Sequence, residues 1–329
     1  RVVADVRNKR EKTTIESYFR YRPPLVLLAK EITRLFEEGI RTVGLNGQPV
    51  ILRPVLIAWT GDRKATHESL GWTINFRGGK NCKTCTADFS QFPKLRKTDQ
   101  LPLRTRDEYE EILKEMDENG PDHAIDGVQR ECPLSSAPFF CPIENDCPDL
   151  MHDILEGEAR RVLCRTVRML SKEGISLEQL NDLIINFAYG TDDANDRISP
   201  VKLANGLNST GGQKAAQMRC LLRLLPIILL NQNFNRQSDE WILFLKLRLI
   251  LSISMKPTIK EQEIDALQTT IEEYHEQNYQ AYERATNGGK QKAADGGVCT
   301  TFKMHSLLHY PMKMRMLGPL SQLWCMTCE

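Results

Sequence analysis

From about residue 86 to residue 285 the chain offers no convincing strand, and that absence limits its fold more than any other feature. Six stretches in this span, 108–119, 149–171, 177–188, 213–231, 239–255 and 260–285, repeat apolar residues at helical spacing, some on one face and some nearly all round. Such segments must bury their apolar faces helix against helix. Ahead of them, 25–39 predicts another helix, stopped by its glycine. Asn46-Gly47 predicts a hairpin turn between β-prone 41–45 and 50–59. The second run, rich in Val, Ile and Leu, is expected to be a strand buried on both faces. It ends at Thr60-Gly61-Asp62, before a helix-like 64–70. After a Gly-rich 286–297, the closing 301–329 predicts helix on both sides of Pro311 and Gly318-Pro319.

Composition narrows the function classes. A hydrophobic share of 41% and a charged share of 26% are those of a globular protein, not of a disordered or collagen-like chain. Lys and Arg number 44 against 43 Asp and Glu, a formal net charge of +1. There is no long-range basic field, so any nucleic-acid binding must come from local patches such as 94–106. The most apolar stretches, 218–230 and 241–254, are shorter than the roughly 20 residues of a membrane span and carry Arg or Lys. No secretory signal is visible, which sets the expectation of an intracellular protein without membrane contact. Ten cysteines then point to thiols and metal rather than a disulfide framework. A start without Met and an end directly after an apolar run read as a fragment.

Several residues are equipped for chemistry. Asp62, at the end of the expected strand, is either a carboxylate offered to Mg²⁺ or the cap of the following helix; taken alone, the cap is the commoner role. Cys82-Lys-Thr-Cys85 is half of a tetrahedral zinc site. His305-Ser-Leu-Leu-His309 places two imidazoles four apart, with Ser306 where a metalloprotease would have its glutamate. Together the pairs suit a closed Cys₂His₂ site stapling the two ends of the helical block; two metal-free histidines beside Tyr310 are the alternative. Asp149-Leu-Met-His152 opens a helix, where Asp149 reads as a cap and His152 can pair with Glu156. Arg160, Arg161, Arg165 and Arg168 form a basic helix face, able to meet phosphates or simply solvated. Glu329, in isolation, carries no meaning.

The order of these pieces resembles a known family. Asp62 is followed by CxxC about twenty residues on, a long helical insert holding Asp-x-x-His, then His-x-x-x-His, then a Glu about twenty residues later. This is similar to the DDE transposases of the EnSpm/CACTA type and to the related recombinase that assembles vertebrate immune-receptor genes. The wording CPDLMHDILEG at 147–157, KAAQMRCLLRLLPIIL at 214–229 and HSLLHYPMKMRMLGPLSQLWCMTCE at 305–329 resembles transposon-encoded proteins of this kind.

The resemblance implies an α/β, mostly α, fold: a partial RNase H-like mixed sheet interrupted by a large all-helical insertion. It divides the chain into a partial catalytic core at 1–80, a helical insertion at 81–300, and a zinc-histidine segment at 301–329. It implies Asp62 and Glu329 as catalytic carboxylates for Mg²⁺ or Mn²⁺, and structural zinc on Cys82, Cys85, His305 and His309. Asp149 and His152 become the signature of the insertion. DNA, as transposon ends and target, is the implied partner, in the nucleus, with a homodimer or larger assembly of the parent. The implied chemistry is two-metal cleavage and transfer of DNA strands. The first carboxylate of the family is expected upstream of 25, where no β-run stands, and Cys328 occupies a place where an aromatic is expected. The chain by itself is therefore expected to be inert on DNA. A domesticated derivative that keeps the zinc-held scaffold without catalysis is the alternative, and a helical interaction module is a remoter one.

Overall fold

The computed structural model describes residues 9–119, 124–203, 210–286 and 299–327. The chain forms two compact units, one from Arg1–Gln91 with Leu101–Cys147 and the other from Phe92–Gln100 with Pro148–Glu329.

The first unit opens with α1 (Lys9–Glu38), which runs through Pro23 and Pro24. The helix stops where expected: Gly39 takes φ +71°, and its N–H closes on Leu35 O at 2.9 Å. A hairpin of β1 (Ile40–Val43) and β2 (Pro49–Leu52) follows, antiparallel, with Ile40 opposite Leu52 and Val43 opposite Pro49. Then come α2 (Arg63–Leu70) and α3 (Arg106–Asn119). The core of this unit gathers Leu25 and Ala29 of α1, Leu70, Tyr109 and Met116 around Trp72, with Leu134, Phe140 and Ile143 from the loops. Trp72 and Tyr109 stack, with ring centroids 6.5 Å apart.

The expectation of a buried strand over 50–59 is corrected. β2 ends at Leu52, every side chain of the hairpin is exposed, and Val55 and Ile57 are 43% and 55% exposed. The physical reason is Pro54, which has no N–H to continue a ladder. Only Trp59 regains pairing, in a parallel bridge to Asp146, donating to Asn145 O and accepting from Cys147 N. Among the described residues the strands form two small antiparallel pairs and no mixed sheet.

The second unit is helical, as the periodicities predict. A π-helical segment (Met151–Glu158) continues into α4 (Ala159–Lys172), followed by α5 (Leu177–Ile185), α6 (Ala215–Ile228), α7 (Asp239–Ser254) and α8 (Glu261–Thr286). A two-residue ladder pairs β3 (Lys202–Leu203) with β4 (Thr210–Gly211). Caps explain several starts: Ser176 makes a capping box with Gln179, and Ser238 accepts from Trp241 N. α7 packs on α8 and α4, burying Phe244, Leu247 and Ile250. Two short helices, α9 (Phe302–Leu307) and α10 (Tyr310–Leu317), close the unit, with Pro311 in the first turn of α10. Among the described residues no helix is long and apolar enough to cross a membrane.

Candidate metal centre

The Cys82–Cys85 turn is held by a buried arginine. Arg104 Nε donates to Cys82 O at 2.8 Å and Cys85 O at 3.1 Å, and its Nη2 donates to Lys80 O and Asp126 O. The guanidinium lies 4.7 Å from the Trp72 ring centroid. Within the turn, Lys83 points inward, with Nζ 2.7 Å from Asp146 Oδ1 and 2.8 Å from Thr66 Oγ1. Burial pushes the Lys83 ammonium below its usual range, and Asp146 pulls it back. A hydrogen bond to Cys82, together with burial, pushes the Cys85 thiol up. A metal ion would reverse this, since it binds thiolates and releases their protons.

The histidines are set by Thr301, whose hydroxyl accepts from Met304 N and starts α9. His305 lies in α9, and His309 stands at the break before α10. The expected shared face is thus reached across a break, because Pro311 interrupts the helical hydrogen bonding. Phe92 stacks flat on His305, with centroids 3.8 Å apart and planes at 6°. The two Nε2 atoms are 3.3 Å apart. With Zn–N bonds of about 2.0–2.1 Å, the N···N edge of a tetrahedron is about 3.3–3.4 Å. The ring pair therefore already has the edge a tetrahedral ion requires.

Cys82, Cys85, His305 and His309 are all buried and offer ligand atoms that lie within 4.8 Å of one another. A metal such as zinc fits this quartet, whose two thiols and two imidazoles are the donors of closed structural sites. Arg104, Lys83, Asp146 and Phe92 escaped the sequence reading. Their signal was weak: Arg104 and Phe92 stand in or beside a stretch read for its basic charge, and Lys83 is the unremarked second residue of CxxC.

The other expected site residues fall elsewhere. Asp62 is exposed and caps α2, its Oδ2 accepting from Lys64 N at 3.0 Å and Ala65 N at 3.4 Å. Glu329 lies outside the described residues. Asp149 is buried; its Oδ2 accepts from His152 N and faces His152 Nδ1, while its Oδ1 accepts from Cys325 N at 2.9 Å. Burial alone would raise its pKa, but the hydrogen bonds from His152 and Cys325 hold the carboxyl below its usual range.

The basic face is corrected at Arg161, which points inward. It is 8% exposed and pairs with the buried Glu158 at 3.0 Å, so its charge is neutralised inside and not presented to solvent. Arg160 lies 3.6 Å from Glu156, Arg165 donates to Asn278, and Arg168 is half-buried. The 94–106 patch is likewise largely engaged: Arg96 meets Glu276, Arg106 meets Glu144, and Arg104 serves the cysteine turn.

Fold and centre together define a mostly helical protein with a buried Cys₂His₂ quartet able to hold a metal such as zinc. No family model, curated protein or solved structure matches the chain.

Proposed function

We propose that the chain is part of the catalytic region of an EnSpm/CACTA-type DDE transposase, an RNase H-like fold interrupted by the helical insertion, with structural zinc on Cys82, Cys85, His305 and His309. One observation supports this reading above the others. Cys82, Cys85, His305 and His309 form a buried group that could hold a metal ion, and these are the donors that the resemblance implies for zinc. In this reading Asp62 and Glu329 hold Mg²⁺ or Mn²⁺, and bound ions would stabilise the attacking and leaving oxygens of a DNA phosphodiester. The chain's own task is to present those carboxylates on a fixed scaffold, in the nucleus, to transposon ends and target, as a homodimer or larger assembly. Arg160, Arg165 and Arg168 supply phosphate contacts. Replacing Arg165 and Arg168 by Gln should weaken binding equally across unrelated DNA sequences and reduce the salt slope by about one to two.

A second reading, a non-catalytic zinc-held scaffold that binds DNA or protein, is favoured by the capping role of Asp62. Nicking of plasmid DNA in Mg²⁺ or Mn²⁺, by a chain extended to carry the first carboxylate, separates the two. The enzyme reading expects nicking that Asp62→Asn abolishes while zinc content is unchanged. Equal nicking with Asn at position 62 would remove Asp62 from the catalytic set, and no nicking at all by the extended chain would favour the scaffold.

A further inference from the structure

We propose a second metal site, formed by Asp149, His152 and Cys325, that takes Zn²⁺ with one coordination position left to water. It stands independently of the transposase reading and of the Cys₂His₂ quartet. A carboxylate oxygen, an imidazole nitrogen and a thiol sulfur lie within 4.8 Å of one another here. Tetrahedral zinc with these donors has edges of about 3.3–3.7 Å; Asp149 Oδ2 and His152 Nδ1, which face each other at 2.5 Å, open by roughly an ångström to admit the ion, within the reach of ordinary torsional adjustment.

The backbone beneath the site is pinned from both sides. Asp149 and His152 stand at the entry to the π-helical segment, one turn apart, with His152 N–H donating to Asp149 Oδ2 at 3.2 Å. π-Helical turns recur at functional sites in helical proteins. Cys325 comes from a distant part of the sequence and is brought in by its own anchors. Trp324 beside it is buried, Ser321 Oγ donates to Lys256 O at 2.8 Å, and Gln322 donates to Pro257 O. The Cys325 N–H then donates to Asp149 Oδ1.

Burial separates this site from the quartet. All four quartet ligands are buried, the mark of a closed structural centre, whereas here Asp149 is buried and His152 and Cys325 are only half-buried. Three protein ligands with a solvent-facing side match zinc centres that keep a water or an exchangeable anion in the fourth position. A thiolate and an imidazole among the donors favour Zn²⁺ or Co²⁺ over Mg²⁺, which takes oxygen ligands. A purely structural role does not account for the sulfur. The bond to Asp149 uses the backbone N–H of residue 325, which any residue but proline supplies.

That distinction yields the test. Cys325→Ser keeps the backbone bond and removes the sulfur, so fold and melting temperature should hold in the metal-free protein. Purified full chain, stripped and reloaded with Zn²⁺ or Co²⁺, should carry two ions per chain, and Cys325→Ser one. In the cobalt form the variant should lose about one third of the thiolate-to-cobalt absorption, since one of three thiolate ligands is gone. His309→Ala should leave the Cys325-dependent ion in place. A single ion removed by Cys325→Ser but not by His309→Ala would uphold this site and refute the quartet. Metal loading and cobalt spectrum unchanged by Cys325→Ser would overturn the proposal.

Discussion

Replacing His309 by alanine tests whether the quartet holds a metal that contributes to folding. The magnitude follows from mass action on the native state. The two imidazole nitrogens are 3.3 Å apart, the edge that tetrahedral zinc needs, and all four ligands are already buried. Because the ligands come together only in the folded chain, the binding energy appears as folding energy. At free zinc about a thousand times the dissociation constant, binding to the native state adds about 4 kcal/mol. For a domain of about 150–250 residues, each kcal/mol moves the melting temperature by about 2–4 °C, which gives a shift of about 8–16 °C. The assay is thermal unfolding with zinc and with excess chelator, alongside elemental analysis of the purified protein. Wild type should melt about 8–16 °C lower in chelator; His309→Ala should melt near the chelated wild type in both conditions. Leu247→Ala, a truncation at a fully buried position of α7, is the control: it should lower the melting temperature with and without zinc alike. Zinc-free wild type, or a His309→Ala protein that still holds zinc and responds to chelator, would refute the assignment.

Three further outcomes follow from the interior of the helical unit. His275 donates from Nε2 to Met304 O at 3.1 Å, and burial, aided by His305, lowers its pKa to about 3. Because its folded pKa is depressed, the unfolded chain takes up a proton that the native state refuses as pH falls from about 6.5 towards 3. Stability should drop by about 1.4 kcal/mol per pH unit in that window, His275→Gln should flatten the slope by that amount in urea titrations, and equal slopes would refute it. Arg161→Met should cost about 3–5 kcal/mol, because it strands the buried Glu158 with Tyr274 Oη, 2.6 Å away, as a remaining donor. Glu158→Leu combined with Arg161→Met should recover most of that loss, and a single-variant cost under about 1 kcal/mol in chemical denaturation would sink the idea. Gly157→Ala places a methyl 2.4 Å from Lys303 Cδ and 3.0 Å from His152 O, so it should destabilise by about 1–3 kcal/mol. Lys303→Ala in the same chain should relieve only the side-chain part, and full recovery would show that the His152 carbonyl is no obstacle.

The helices were legible because amphipathic repeats longer than three turns leave little choice of conformation, and α3, α7 and α8 begin and end within about two residues of their expected places. The π-helical turn was not, since one added residue per turn hardly alters which side chains are apolar. The run at 50–59 misled because an apolar sequence reports what a strand would bury and not whether a partner covers it; Pro54 was the signal to stop. The quartet was legible from two spacings. What holds it was not: Arg104 looks like one more surface base until its donors are found on the carbonyls of the cysteine turn. Arg161 failed in the same way, because a charge run on a helix hides which member faces inward.

Asp62 is where the two readings of the function meet, and its contacts make the choice testable. One carboxylate oxygen accepts two backbone N–H groups at the start of α2. A cap of this kind is worth about 0.5–2 kcal/mol, and asparagine serves nearly as well as aspartate. Asp62→Asn therefore keeps the cap and removes the charge that a divalent ion would need. If the residue only starts a helix, the substitution should be silent in stability, in zinc content and on DNA. If it is also a metal ligand, stability and zinc stay while magnesium-dependent cleavage vanishes. Alanine would confound the two by removing both at once, so the choice between cap and ligand rests on the asparagine variant.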